Sequence, residues 1–360
     1  VSVSYTWVGW NRQKNLYDAT LAVGIVAFVA LFLAIGSLTP PAHRVSFPIL
    51  LLRALAACAF LMLTCILCIG PLCRLDRRFL PLLYNRRHFG VAMFLVALGH
   101  AALSLVWYHG FGDTNIFLSL LISNTNFLSF TQFPFELLGL GALTILFVMA
   151  ATSHDFWLKN LTPRVWKTLH MGVYLAYALL VMHVALGALQ SERSPLFTGM
   201  TFASVVVVGC LHLAAGRKES RSDTPLPRDT WVDVCDVDDI PNNRARTVCL
   251  AGADASKKER VAVFRFDGKV CAVSNVCEHQ HGPLGEGKVV GGCITCPWHG
   301  YQYLPENGQS PPPFTEKIHT YRVTLRGRRV LVDPTPLPKG TPVEPAVIPS
   351  AAPPEAPSHA

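Results

Sequence analysis

The stretch CEHQHGPLGEGKVVGGCITCPWHGY, Cys277 to Tyr301, holds two Cys–His pairs, Cys277-x-His279 and Cys296-x-x-His299. Thiolates and neutral imidazoles are transition-metal ligands. Two of each fit a tetrahedral zinc ion. They also fit a [2Fe–2S] cluster with both Cys on one iron and both His on the other. Ligand type alone does not separate the two, but the surroundings do. Each pair sits in a Gly- and Pro-bearing loop, HGPLGEG and CPWHGY. Tight turns of this kind let backbone N–H groups reach cluster sulfurs. A zinc finger usually runs on from its second pair into a helix, and no helix signal follows His299. His281, between the pairs, reads as a loop residue. Cys293 forms a C-x-x-C with Cys296 and reads as structural.

A second set of chemical residues lies in apolar surroundings: His88, His100, His170 and His183. Histidine inside a bilayer is costly and usually functional. At about 1.5 Å per helical residue, His170 and His183 differ in depth by roughly 20 Å, and His88 and His100 by roughly 18 Å. Two layers follow, His88 facing His170 and His100 facing His183. Bis-His ligation of haem b between helices is the natural use of such layers. Ideal helices leave the two histidines of each span about 120–140° apart, so tilt or a bend has to help. His88, beside Arg86 and Arg87, also reads as an interfacial residue. Arg53, Arg86 and Arg87 suit haem propionates, although basic side chains at a membrane edge commonly snorkel.

These residues need helices to hold them. Six apolar runs approach the ~20 residues that cross a bilayer, near 19–38, 49–72, 89–109, 134–152, 167–189 and 197–215. The connection 110–133 is longer, mixes apolar and polar residues, and suits the membrane surface. Basic residues fix the orientation. Arg12, Lys14, Arg74, Arg77, Arg78, Arg86, Arg87, Lys159, Arg164, Lys167, Arg217, Lys218 and Arg221 fall on one side; Arg44 and Arg193, with Arg53 just inside a span, fall on the other. Both termini and the cluster-bearing segment are therefore expected in the cytoplasm. No signal peptide is expected, because no cleavage site follows the first run.

The net charge is +8. Its placement in short clusters between apolar runs is a membrane pattern, and no basic–aromatic surface for nucleic acid is evident. The 11 cysteines do not form a disulfide framework. Cys58, Cys65, Cys68, Cys73 and Cys210 lie in apolar runs, where Cys acts as a small hydrophobe. After a linker at 216–228, residues 229–333 read as β: RVAVFRF, KVCAVSN and YRVTLRGRRVLVD alternate or are β-branched, with turns between. Residues 334–360 are Pro-rich with few apolar groups, and are expected to be a disordered or extended tail. The expected fold is a membrane all-α six-helix bundle over 19–215, preceded by a cytoplasmic segment 1–18. A small all-β domain and a disordered Pro-rich tail follow it.

The motifs C-E-H, G-P-L-G-E-G and C-P-W-H-G-Y closely resemble the Rieske family. That resemblance implies a [2Fe–2S] centre on Cys277, His279, Cys296 and His299. Quinol-oxidising Rieske proteins carry an extra Cys after each ligand pair, joined as a disulfide. Here Trp298 occupies the second position and the first loop offers no Cys. The pattern is thus similar to Rieske ferredoxins. That similarity implies a lower potential, and Tyr303 stands where the high-potential proteins place a Tyr that raises it, so a low to intermediate potential is implied. A Rieske oxygenase would need a large iron domain after the cluster, which the short stretch beyond Tyr301 does not supply.

N-R-R-H-F-G followed by A-L-G-H, and W-K-T-L-H-M-G-V-Y-L followed by M-H, resemble the ferric reductase-like transmembrane family. The A-A-T-S that ends span four also fits. Within that family the haem-binding subunit of the bacterial periplasmic methionine sulfoxide reductase system is most similar. The resemblance implies haem ligation by His100, His170 and His183; position 88 is not His in that branch. The flavin and nicotinamide module of eukaryotic-type relatives is not expected: no G-x-G-x-x-G follows a strand, and P-F-T at 313–315 sits in a PPPF loop.

Together these readings imply a component of an oxidoreductase in a bacterial inner membrane, carrying one or two b haems. A cytoplasmic donor of ferredoxin or flavoprotein type would reduce the cluster, and electrons would pass through haem to an acceptor at the outer face. The alternatives are a quinone-linked oxidoreductase and a non-enzymatic redox-sensing or assembly subunit.

Overall fold

The computed structural model describes residues 12–38, 45–83, 85–153, 157, 161, 163–191, 195–222, 226, 230–251, 258–279, 281–298, 300–312 and 314–349. Two compact units divide the chain after Ala215.

The first unit is helical: α1 Arg12–Ser37, α2 Phe47–Leu75, α3 Arg86–His109, α4 Ile116–Ile122, α5 Phe135–Ala151, α6 Pro163–Leu186 and α7 Pro195–Ser222. Among the described residues five helices are long and apolar enough to cross a membrane; α5, at 17 residues, is shorter. Its ~26 Å nearly matches the ~30 Å hydrocarbon core. The six expected runs therefore all lie on helices. Inward, α2, α3, α5 and α6 share a core that includes Leu63, Leu67, Met93, Phe94, Ala142, Leu146 and Tyr177. Outward, Leu31, Ile35, Val106, Leu175 and Phe202 stay exposed, as lipid-facing residues do. Cys58, Cys68 and Cys73 are buried, while Cys65 and Cys210 are exposed. In the 110–133 connection α4 leaves Phe117, Leu118, Leu121 and Ile122 exposed, and beyond it Leu128 and Phe130.

The second unit is built of short antiparallel strands. Its centre is β2 Arg244–Ala251, β3 Lys258–Phe266 and β4 Lys269–Ser274, paired in the order β4-β3-β2. A continuous apolar run in a strand means burial on both faces. In β3, Val261 and Val263 enter one core, packed with β1 Val232–Asp236 and β10 Arg329–Val332. Ala262 and Phe264 enter a second core that contains Cys277 and Cys296. β4 divides the same way: Val270 and Ala272 join the first core, Cys271 and Val273 the second. β9 Val323–Arg326 completes the sheet with β10 and β1. β8 Thr320–Tyr321 adds to β4. A third sheet, β5 Lys288–Val290, β6 Cys293–Thr295 and β7 Gln302–Tyr303, carries the second ligand loop between β6 and β7.

Of the two states expected beyond residue 334, disordered or extended, residues 334–349 take the extended one. This segment is extended and bonded to the domain. Leu337 N–H donates to Thr320 O, Gly340 N–H to Ile318 O, Val343 N–H to Glu306 O and Ile348 N–H to Gly268 O. β11 Ala346–Val347 pairs with β4. The physical reason is that backbone groups, present in any composition, carry the attachment. Residues 350–360 lie outside the described residues. Hydrogen exchange of the full chain should show the Leu337, Gly340, Val343 and Ile348 amides at least about tenfold slower than unstructured peptide. Exchange at the unstructured rate would show that the segment is not docked.

Candidate metal centres

The first ligand loop leaves β4 through Asn275, which is buried. Its N–H donates to Arg260 O at 2.9 Å and its carbonyl accepts from Leu284 N–H at 2.9 Å. Its Oδ1 accepts from Gly285 N–H at 2.6 Å. One residue, through its main chain and its side chain, thus staples both ends of the loop. Within it, Cys277 N–H donates to Gly282 O at 2.9 Å and His281 N–H to Cys277 O at 2.6 Å. His281 has φ 57 and is exposed, as a loop residue should be. In the second loop, Cys296 N–H donates to Tyr301 O at 2.7 Å, and Gly300 N–H to Cys296 O at 2.9 Å.

The two loops meet at Gly282. A Cβ there would stand 2.8 Å from Cys296 Sγ and 3.2 Å from the Trp298 ring. Only glycine allows this approach. It brings the Cys277 loop onto the Cys296 loop and lays Trp298 over the junction. The two thiols are 1% and 2% exposed. His279 is partly exposed and stacks flat on Tyr301, with ring centroids 4.7 Å apart and planes at 9°. Among the described residues no three His, Cys, Asp or Glu close on a single metal ion. His299 lies outside the described residues.

Tyr303, fully buried, lies with its hydroxyl 3.4 Å from Cys277 Sγ. The same oxygen accepts the Glu278 N–H at 3.0 Å. Its own proton is therefore left for the sulfur. Burial, and then the Cys277 charge, push the Tyr303 phenol up, so it remains a donor. The Tyr301 hydroxyl donates to the Glu316 carboxylate. Burial, and then that bond, push the Tyr301 phenol up as well. Beside the second loop a shallow cleft is lined by Gly300, Tyr301, Gln302, Pro311, Pro312 and Phe314. Two thiolates, an imidazole and a hydroxyl aimed at sulfur fit an iron–sulfur centre.

In the helical unit the candidate histidines share one feature. His100 Nδ1 lies 3.1 Å from Leu52 O. His183 Nδ1 lies 2.8 Å from Phe135 O, and His170 Nδ1 3.0 Å from Trp166 O. A carbonyl partner fixes Nδ1 as the N–H and, for His100 and His183, leaves the Nε2 lone pair available to a metal. This donor chemistry fits haem iron. Gly139 of α5 gives His183 its space: a Cβ there would meet the ring at 2.8 Å. His170 stacks on Trp166 at 3.9 Å, its Nε2 is 3.4 Å from Ser153 Oγ, and Arg86 and Arg87 are its charged neighbours. His88 is bound through Nδ1 to Asp18 of α1 at 2.8 Å.

Sequence reasoning missed Asp18, Asn275, Tyr301, Glu316 and Gly139 as parts of these sites. Tyr301 had a signal: an aromatic two residues beyond a ligand, within the same tight loop, has little to pack on except the centre.

Residues 230–322 match the family model for the Rieske [2Fe-2S] domain. Residues 53–181 match that for the ferric reductase like transmembrane component. The biphenyl dioxygenase ferredoxin subunit of Pseudomonas sp. (strain KKS102) is 35% identical over 107 residues, 29% of this chain and 92% of that protein. The ferredoxin component of the naphthalene 1,2-dioxygenase system of Pseudomonas aeruginosa is 27% identical over 106 residues, 29% of this chain and 96% of that protein. A solved complex of reduced oxygenase and oxidised ferredoxin of carbazole 1,9a-dioxygenase matches 30% of this chain and 96% of its own at 27% identity, with a TM-score of 0.27. A [2Fe–2S] domain joined to a ferric reductase-like membrane domain has an electron-transfer role. The Tyr303→Phe variant should keep its centre and lose about 1.5–3 kcal/mol of stabilisation of the reduced form, the worth of one hydrogen bond to a charged group. A redox titration followed by EPR checks this: the potential should fall, and an unchanged potential would remove Tyr303 from that role.

Proposed function

We propose, for a chain that belongs to the Rieske [2Fe–2S] family, a membrane protein that moves electrons between that centre and b-type haem in its helical unit. One observation carries the reading. The same chain holds a buried two-thiolate loop pair and membrane histidines with Nδ1 committed and Nε2 left for iron. A cluster and a haem, when bound, supply one-electron exchange. Everything else is done by the protein. Cys277 and Cys296 would hold one iron, and His279 and His299 the other. Tyr303 donates to the Cys277 sulfur and so favours extra negative charge there. Trp298 and the His279–Tyr301 stack keep water from the junction of the loops. His100 and His183 would hold one haem, with the Leu52 and Phe135 carbonyls fixing their rings. His170, flanked by Arg86 and Arg87, would serve a second haem; His88, oriented by Asp18, is its candidate partner.

The basic residues gathered on one side support a bacterial inner-membrane protein with a cytoplasmic centre. The cleft at Tyr301, Pro311, Pro312 and Phe314 suits a small ferredoxin- or flavoprotein-type donor, since it lies beside the imidazole edge of the site. An acceptor at the outer face would complete the path.

A second, quinone-linked reading has its own observation. His109, buried at the end of α3, lies 2.9 Å from Ser119 Oγ and 3.9 Å from Glu136 Oε1. Glu136 directly follows Phe135, whose carbonyl holds His183. A His–Glu pair thus stands one residue from a haem-ligand partner, next to the 110–133 segment of mixed apolar and polar residues.

His100→Ala and His183→Ala should each remove the absorbance of the haem these two residues share while leaving the iron–sulfur EPR signal. Gly139→Ala should weaken haem binding by turning the His183 ring. Full haem in both histidine variants would overturn the assignment. In stopped flow, haem should be reduced promptly after a ferredoxin-type donor reduces the cluster, and His299→Ala should abolish this. Haem that ignores the reduced cluster and responds to quinol would favour the second reading.

A further inference from the structure

Glu278 is the residue between the two ligands of the first loop, Cys277 and His279. Its N–H holds the Tyr303 hydroxyl that faces Cys277 Sγ. Its carboxylate is met by Lys339, Nζ to Oε1, at 2.8 Å. Lys339 comes from the extended segment after β10, outside the stretch that matches the Rieske family model.

That segment is placed firmly where Lys339 leaves it. Gly340 has φ 80, a conformation side chains disfavour, and a Cβ there would stand 2.6 Å from the Lys317 side chain. Gly340 N–H donates to Ile318 O at 3.1 Å. Gly340 O accepts from Gln309 Nε2 at 2.9 Å. One residue on, Thr341 O accepts from Thr320 Oγ1 at 2.9 Å. On the other side, Leu337 O is bound by His319 Nδ1 at 2.7 Å. Lys339 thus projects from a backbone fastened on both sides.

We infer that residues 334–349 form a strap that delivers Lys339 to Glu278 and thereby sets the reduction potential of the cluster. The inference rests on the reading of Cys277 and His279 as cluster ligands. Both partners are partly exposed, 44% and 32% at the side chain, so the pair contributes little to folding. Its effect is electrostatic. A bare Glu278 carboxylate beside the ligands opposes arrival of an electron. Lys339 neutralises that charge and holds the Glu278 main chain where it positions Tyr303.

The test uses the full-length holoprotein, titrated by EPR. Lys339→Met should make reduction about three- to tenfold less favourable, tenfold being about 59 mV for one electron. Glu278→Gln should shift the potential the opposite way, the double variant should fall between the two, and Lys339→Arg should resemble the parent. Gly340→Ala, which dislodges the strap, should lower the potential as Lys339→Met does. The difference between parent and Lys339→Met should shrink as salt rises. Shifts of the same sign in Lys339→Met and Glu278→Gln, or no shift in either with the cluster signal intact, would overturn the inference. Absence of a Rieske-type EPR signal in the parent would instead remove the ligand reading beneath it.

Discussion

Two thiol groups at 1% and 2% exposure bear on the whole second unit. As thiolates they are charges in a low-dielectric interior, and such charges persist only when something neutralises them. An imidazole, that of His279, and the Tyr303 hydroxyl stand at the same place. The Gly282 contact with Cys296 Sγ then dictates that the two loops close on each other. Asn275, with three bonds to three different residues, holds the first loop at the height this contact needs. The β3–β4 pair beneath provides a floor that is itself packed on both faces. Each layer answers the demand made by the one above it.

The helical unit solves a related problem with different means. A histidine in hydrocarbon needs partners for two nitrogens. For His100 and His183 one nitrogen is bound by a main-chain carbonyl from a neighbouring segment, Leu52 and Phe135. These bonds fix tautomer and ring direction together. Small residues complete the arrangement, because Gly139 lets α5 come up against the His183 ring. The backbone, rather than a second charged side chain, orients these two rings. Asp18 does so for His88.

How much of this was legible depended on what kind of interaction was involved. Hydrophobic runs are written directly in residue type, so the helices and the β3 and β4 strands could be read. Motif spacing is local, so the Cys277 and Cys296 loops, which meet at Gly282, could be marked as candidates. Contacts between distant residues were not legible. Nothing about Asp18 points to His88, seventy positions on, and nothing about Glu316 points to Tyr301. The docking of the segment after Asp333 was hidden for a different reason. Its composition is poor in apolar residues, and composition says nothing about main-chain hydrogen bonds, which are what attach it.

β3 and β4 lie between two cores and belong to both. Neither core can melt while the other keeps its wall. Disorder starting in the sheet of β1, β9 and β10, remote from the ligands, has the same two strands to breach as disorder starting among them. The domain should therefore behave as one cooperative unit. Bleaching of its colour would then serve as an optical gauge of the whole fold, including parts that never touch iron.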